Sequence, residues 1–467
     1  MNNPVMLKEL RQSVRNRLAS ISLIGFLALL LVILGFVFAA YTHDTHIHSA
    51  PSPIGPTTFG ITASILSLLT LTVIPFAVFQ RLSVEHGKAK ADLLFATPLT
   101  PARIVDGKLF AGLSMALLFL SAALPFLFLS YQLHGIDLGT IVGYVVLLLP
   151  AIAASLALGL FAGSLPVPTT VTRVLYGLAL FGAIGPIIAF CVALATDEFI
   201  IFSIYGYLLI FAALLAVFFL LRSAAILTLA PAATNYARPF RLTVSALWLL
   251  LLLVFGILAV VEDESEILYA SFLSTLLLAG LLLFQAVLIR PEVSRRVLQD
   301  IRPRFRFLQF LFGTTYEGGV SLSVLLAALS VGLHILLSET LFHGIRRDLF
   351  LLRILPPFLY YAAFLMLLRL LARTRTRYPG PVALTLLAVL IPFGWSTAMT
   401  IVSANVDDRL TLSGNFVPGN LFATMINADY NRDALVFHLV FAAILFLILL
   451  LVTLPKIRRA YKAFRHP

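Results

Sequence analysis

Only a few side chains in this sequence are of a type and spacing that could do chemistry. Three imidazoles and a carboxylate fall within six residues at His43, Asp44, His46 and His48, a set that suits zinc or copper. In an extended chain His46 and His48 share one side. No second ligand cluster is evident, and a solvated loop explains the group more simply. Asp407, Asp408, Asp429 and Asp433 could supply acid or metal residues to a membrane enzyme, but they are also what an acidic outer loop would carry. Gly87-Lys88 and Gly107-Lys108 lack the leading glycine and following hydroxyl of a phosphate-cradling loop. Neither a Ser-centred nucleophile elbow nor a His-Glu-x-x-His pair is present. With Cys191 the single cysteine, no internal disulfide or cysteine-based metal cage can form. The expectation is a chain without catalytic residue, metal or cofactor of its own.

The elements that position these residues have lipid as their solvent. Of 467 residues, 60% are hydrophobic and 12% charged, with a mean hydropathy of +1.02; soluble domains carry about a quarter charged residues. A helix needs roughly 20 apolar residues to cross the hydrocarbon core. Stretches of about that length run over 18–40, 59–80, 109–131, 139–163, 174–195 and 200–221, then 244–261, 267–289, 319–338, 350–371, 381–403 and 435–454. Barrel strands would be shorter and alternating. The fold class expected is all-α, a polytopic transmembrane helical bundle of about 12 spans. The first stretch exceeds a usual signal core, so an uncleaved span is favoured over a signal peptide cut near Val37-Phe38-Ala39.

Charge sets the orientation. With both termini in the cytoplasm, 28 of the 33 Lys and Arg residues lie on the inner side and 14 of the 21 Asp and Glu residues on the outer side, as the positive-inside bias requires. The net charge of +12 is therefore a membrane signature, and nucleic acid is not needed as a partner. Arg302, Arg304, Phe305, Arg306 and Phe307 read as an interfacial segment rather than an RNA-stacking one. Arg outnumbers Lys, which leans toward a bacterial plasma membrane as the location. Ionisable groups within the spans amount to little more than His334 and His438, and no midplane carboxylate stands ready to couple transport to protons or sodium. His334 reads as a packed, hydrogen-bonded helix residue.

The spans fall into two sets of six. Residues 18–225 form one unit and 226–467 the other, each with its longest inner loop after its second span, at Arg81–Lys108 and Arg290–Gly319. Gly135, Gly139 and Gly143, then Gly159 and Gly163, recur at the spacing that lets helices approach closely in lipid.

Two segments bear on function. Over residues 1–17, Met6, Leu7, Leu10 and Val14 share one helical face and Lys8, Arg11 and Arg15 the other, an amphipathic helix for the inner interface. The loop 81–108 is too long for a tight connection. It reads as a short helix through Phe95 stopped by Pro98, then a turn, then a second short helix with Thr100 as N-cap and Pro101 in its first turn.

An N-terminal basic amphipathic helix, two spans, and a loop carrying Glu85, Gly87, Leu93, Leu94, Thr97, Pro98, Leu99, Ile104, Gly107 and Lys108 together resemble the permease subunits of type-2 ABC transporters. Lys88 and Lys90 depart from that pattern, where small or acidic residues are commoner. The resemblance covers roughly residues 3–225. It implies that Leu7, Lys8, Leu10, Arg11 and Val14 belong to an elbow helix on the inner leaflet, and that the loop holds a coupling helix docking on a separate ATPase subunit, which alone binds ATP. The expected function is thus an ATP-driven permease, with a lean to export. If the second half is a true repeat, one chain supplies both halves of the pathway; otherwise two copies pair. A membrane enzyme and a non-transporting scaffold are the alternatives.

Overall fold

The computed structural model describes residues 4–15, 17–44, 54–85, 100–165, 169–195, 204–231, 234–262, 265–288, 305–341, 347–374 and 432–465. Every regular element among them is helical. Eleven helices are long and apolar enough to cross a membrane, so the chain is an integral, multi-pass membrane protein with an all-α bundle of roughly twelve spans. Helices dominate because, in hydrocarbon, each backbone polar group must find its partner within its own segment. The expected span over 381–403 lies outside the described residues, as do the loop histidines His46 and His48 and the aspartates Asp407, Asp408 and Asp429.

The chain divides into two compact units, Met1–Pro231 and Ala232–Pro467. The first begins with α1 (Pro4–Arg15) and α2 (Arg17–Asp44). Its second span is α3 (Ile54–Leu68) and α4 (Ile74–Glu85), joined by the π-helical turn Leu69–Val73. Thr70 Oγ1 donates to the Leu66 carbonyl at 2.8 Å and Thr72 to that of Leu68, so side chains serve carbonyls that the widened turn leaves without their usual partners. Then follow α5 (Pro101–Gln132), α6 (Leu138–Ser164), α7 (Thr169–Ala195) and α8 (Ile204–Leu229).

Thr100 caps α5 as its sequence suggested. It is extended (φ −73°, ψ 145°), its side chain accepts from the Arg103 amide, and Pro101 takes the first helical position, where a missing N–H costs nothing. One expectation is corrected here. From Pro101 no separate short helix leads into the span; α5 runs unbroken to Gln132, because a capped start followed by apolar residues gives the helix no reason to stop. Pro125 and Pro150 sit inside α5 and α6, tolerated where neighbouring helices satisfy the freed carbonyl.

The two glycine runs behave differently. A Cβ at Gly159 would meet the Pro75 carbonyl oxygen at 2.7 Å, and one at Gly163 that of Phe79 at 3.0 Å, so α6 lies backbone to backbone against α4. Gly135 instead ends the turn after α5 with φ 90°, and Gly139 faces open space. Gly143 packs against the Tyr207 ring, where a Cβ would come within 3.3 Å of Cε1, so only the second run brings two backbones together. Between these helices Tyr144 is buried; its hydroxyl lies 2.9 Å from the Ala63 carbonyl and 2.8 Å from Ser67 Oγ.

The second unit contains α9 (Ala237–Glu262), α10 (Ser265–Leu288), the short α11 (Arg306–Leu311), α12 (Tyr316–Leu341), α13 (Arg347–Thr374) and α14 (Arg432–Arg465). Neighbours recur in the same order in the two units. The second span packs on the third and fourth (α3 on α5 and α4 on α6; α10 on α12 and α13), and the fourth packs on the last (α6 on α8; α13 on α14). His334 is held by the Ser330 carbonyl at 2.7 Å on Nδ1 and by Ser271 Oγ at 3.0 Å on Nε2. The Nδ1 proton goes to the carbonyl, so Nε2 accepts from the hydroxyl, and the ring also lies against Phe272. It is a packed helix residue. His438 likewise meets the Tyr360 hydroxyl at 3.1 Å. Phe305 and Phe307 are exposed while Phe310 and Leu311 are buried, and Phe310 packs edge-on against Tyr461.

Candidate functional site

The site forms where α4 stops, α5 starts, and α1 lies across the start of α5. On the helical wheel of α1, Val5 and Met6 project to one side with Glu9 between them, while Leu7 and the basic residues turn elsewhere. Val5, Met6 and Glu9 meet the protein; Leu7, Lys8 and Arg11 are exposed. The contact is close because Gly107 has no side chain. A Cβ there would come within 2.8 Å of Val5 Cβ and 3.0 Å of the Met6 nitrogen.

That approach buries the carboxylate of Glu9. Lys108 Nζ donates to Glu9 Oε1 at 2.7 Å, and the two side chains are only 5% and 6% exposed. Arg81 Nη1 lies 3.8 Å from the other oxygen, Glu9 Oε2, and remains 41% exposed. The first contact is a charge-assisted hydrogen bond; the second exceeds hydrogen-bond length and acts as an ion pair only. A buried charge is tolerated when paired, and removing one partner strands the other. Glu9 thus touches both helices that flank segment 86–99, α4 through Arg81 and α5 through Lys108. Two residues earlier on α5, Asp106 accepts two bonds from Arg222 of α8, at 2.6 Å from Nε and 2.7 Å from Nη2. This bidentate pair ties the start of the third span to the sixth.

Of the residues singled out from sequence, Gly107 and Lys108 come together with the elbow, and Ile104 is buried in the core beside them. Leu10 is half-buried, and Val14 lies in α1. Glu85 is the last residue of α4. Gly87, Leu93, Leu94, Thr97, Pro98 and Leu99 lie outside the described residues. Sequence reasoning passed over Glu9, Arg81, Asp106 and Arg222. The available signal was Glu9 itself, the single acidic residue in a basic helix, set at the flank of its apolar arc where a surface charge would not ordinarily fall.

In the second unit a buried cation is held, among the described residues, by neutral acceptors. Arg241 is fully buried. It donates to Gln285 Oε1 at 3.2 Å and to the Leu311 and Thr315 carbonyls at 2.8 and 2.7 Å. Those carbonyls flank the turn between α11 and α12. A Cβ at Gly319 would stand 2.6 Å from both Arg241 Nη2 and Ala286 Cβ, so only glycine admits the guanidinium there. Arg369 donates to the Val287 carbonyl at 3.0 Å and lies over the Tyr316 ring, 5.1 Å from its centroid.

Among the described residues no three His, Cys, Asp or Glu side chains gather as metal ligands. Set against family models, curated proteins and solved structures, the chain gives no significant match to any of them.

Proposed function

We propose that this membrane protein is the permease of an ATP-driven ABC exporter, powered by a separate ATPase that docks on segment 86–99. The observation that carries the reading is the position of Glu9. Through it the amphipathic helix α1 contacts the end of α4 and the start of α5 together, so a push on the segment between them reaches α1 and both spans at once. A loop that only linked two spans would need no such tie. The buried pair Glu9–Lys108 transmits motion because it resists separation, and the Asp106–Arg222 bond carries the same displacement to α8. Catalysis stays on the partner, since this chain lacks a phosphate-cradling loop.

The test is to tag the chain in its native membrane and purify it with whatever accompanies it. An ATPase should co-purify. Replacing Leu93 and Leu94 together by Asp should abolish that association while membrane insertion is kept. If the chain purifies without an ATPase, or if the double substitution leaves a bound ATPase in place, the permease reading fails.

A further inference from the structure

A cavity of about 150 Å³ opens beside the Glu9 cluster in the first unit, lined by residues that include Glu9, Arg81 and Lys108 at one end and Val73, Ala77 and Met115 along its walls. We propose that it binds one acyl chain of an anionic phospholipid, whose phosphate is held by Arg81.

Three features of the first unit lead there. The first is the wall. Val73 belongs to the π-helical turn and Met115 and Phe119 to the third span, so the inner lining is that of membrane-crossing helices, whose surrounding solvent is hydrocarbon. A cavity of this volume takes a guest about the size of benzene, which matches a short run of methylenes of that chain and not a folded peptide. The π turn fits the pattern too, since single π turns in a helix recur at ligand sites.

The second feature is charge. The lining contains two cations and one carboxylate. The carboxylate is engaged by Lys108 at 2.7 Å, whereas its other oxygen is 3.8 Å from Arg81. Arg81 therefore reaches the cavity mouth 41% exposed, with a planar fork of donors that no hydrogen bond to Glu9 occupies. A guanidinium fork matches phosphate geometry. The third feature is the order along the cavity. Charges stand at one end and, Ser22 apart, apolar residues line the rest, which is the order of headgroup and chain in a phospholipid. A soluble phosphate would satisfy the charges but leave the apolar length unfilled. The proposal concerns this chain and the bilayer alone, and stands whether or not an ATPase docks.

The experiment reconstitutes the full chain in phosphatidylcholine vesicles. These contain either phosphatidylglycerol or phosphatidylcholine bearing a photoactivatable diazirine in mid-chain, and adducts are mapped by mass spectrometry. Phosphatidylglycerol adducts should concentrate on the half-buried Leu69, Val78 and Met115 and the buried Phe119 over the exposed Leu29 and Phe128, and the choline probe should label these four lining residues far less. Arg81→Gln should lower the phosphatidylglycerol labelling about tenfold, as loss of one charge-assisted hydrogen bond does, with Arg81→Lys keeping more of it than Arg81→Gln. Met115→Trp, which fills the wall, should remove it with the headgroup site intact. Equal labelling by the two headgroups would overturn the anionic site, and adducts spread evenly over the exposed faces would overturn the cavity. Competition by excess inorganic phosphate would assign Arg81 to a soluble anion instead and overturn the lipid.

Discussion

Each unit buries a cation near the start of its third span, Lys108 on that span itself and Arg241 reaching it from the first span of its unit, and satisfies it in a different way. In the first, Lys108 meets a carboxylate brought by α1, a helix that is separated from it by two spans of sequence. In the second, Arg241 meets neutral acceptors, two of them backbone carbonyls beside the α11–α12 turn. A buried charge pair formed between separate segments resists their parting. A guanidinium wedged between carbonyls and a glycine cannot leave without opening the turn it holds. The first device thus joins a helix distant in sequence to the start of α5, and the second keeps a local turn closed. Both devices depend on a glycine at the contact, Gly107 against Val5 and Gly319 against Arg241.

That contrast can be broken experimentally, most severely at Arg241. Arg241→Met leaves the Leu311 carbonyl and Gln285 Oε1 without this donor, while the Thr315 carbonyl keeps the Gly319 amide. With a few kcal/mol per buried orphan, the loss should be on the order of 4 kcal/mol. Thermal unfolding in detergent followed by size-exclusion fluorescence should show little folded protein, with Arg241→Lys intermediate. If Arg241→Met melts with the parent chain, the closed-turn description is wrong.

Next in size is Glu9→Gln, which strands a buried ammonium and should cost about 3 kcal/mol. Here the comparison is sharpened by the double change Glu9→Leu with Lys108→Met. Replacing both members of a buried pair by apolar groups is often neutral, so stability should return while any coupling through α1 does not. A thermodynamic cycle over the four proteins that yields no interaction energy would dismiss the pair.

Smaller again is Gly107→Ala. The new methyl group meets Val5 Cβ and the Met6 nitrogen, and overpacking of this kind costs about 1–3 kcal/mol. Because α1 can shift, the effect should appear locally. Hydrogen exchange over residues 4–15 should quicken, with the core helices of the first unit unchanged. The smallest effect belongs to Asp106→Asn. Its pair with Arg222 is 29% exposed on each side, so solvent screening limits the loss to about 1 kcal/mol or less. Molar salt should erase the difference between the Asp106→Asn variant and the parent chain.

The spans were legible because hydropathy over some twenty residues is a property of sequence alone, and lipid leaves a helix no alternative. The N-terminal helix and the Thr100 cap were legible for the same kind of reason, since both rest on periodicity and on neighbours three residues apart. Gly159 and Gly163 could be read as a packing stripe from their spacing, but so could Gly135 and Gly139. What separated the two runs was where α5 ended, and that depends on a turn with positive φ at His134 and Gly135. The candidate site was half visible. Gly107 and Lys108 were singled out, while Glu9 was overlooked because it looks like any charge on an interfacial helix until its partner is known.

Sequence by itself determined that this is a membrane bundle, roughly where each helix runs, and that an amphipathic helix precedes the first span. Those are consequences of local composition and of the solvent. Only the tertiary structure decided which charges are buried and what they touch. Glu9 and Lys108 are 99 residues apart, and Arg241 finds its carbonyls some 70 residues away. A buried charge is tolerated only when a partner arrives in the right geometry, and for residues so distant along the chain that geometry exists nowhere but in the packed helices.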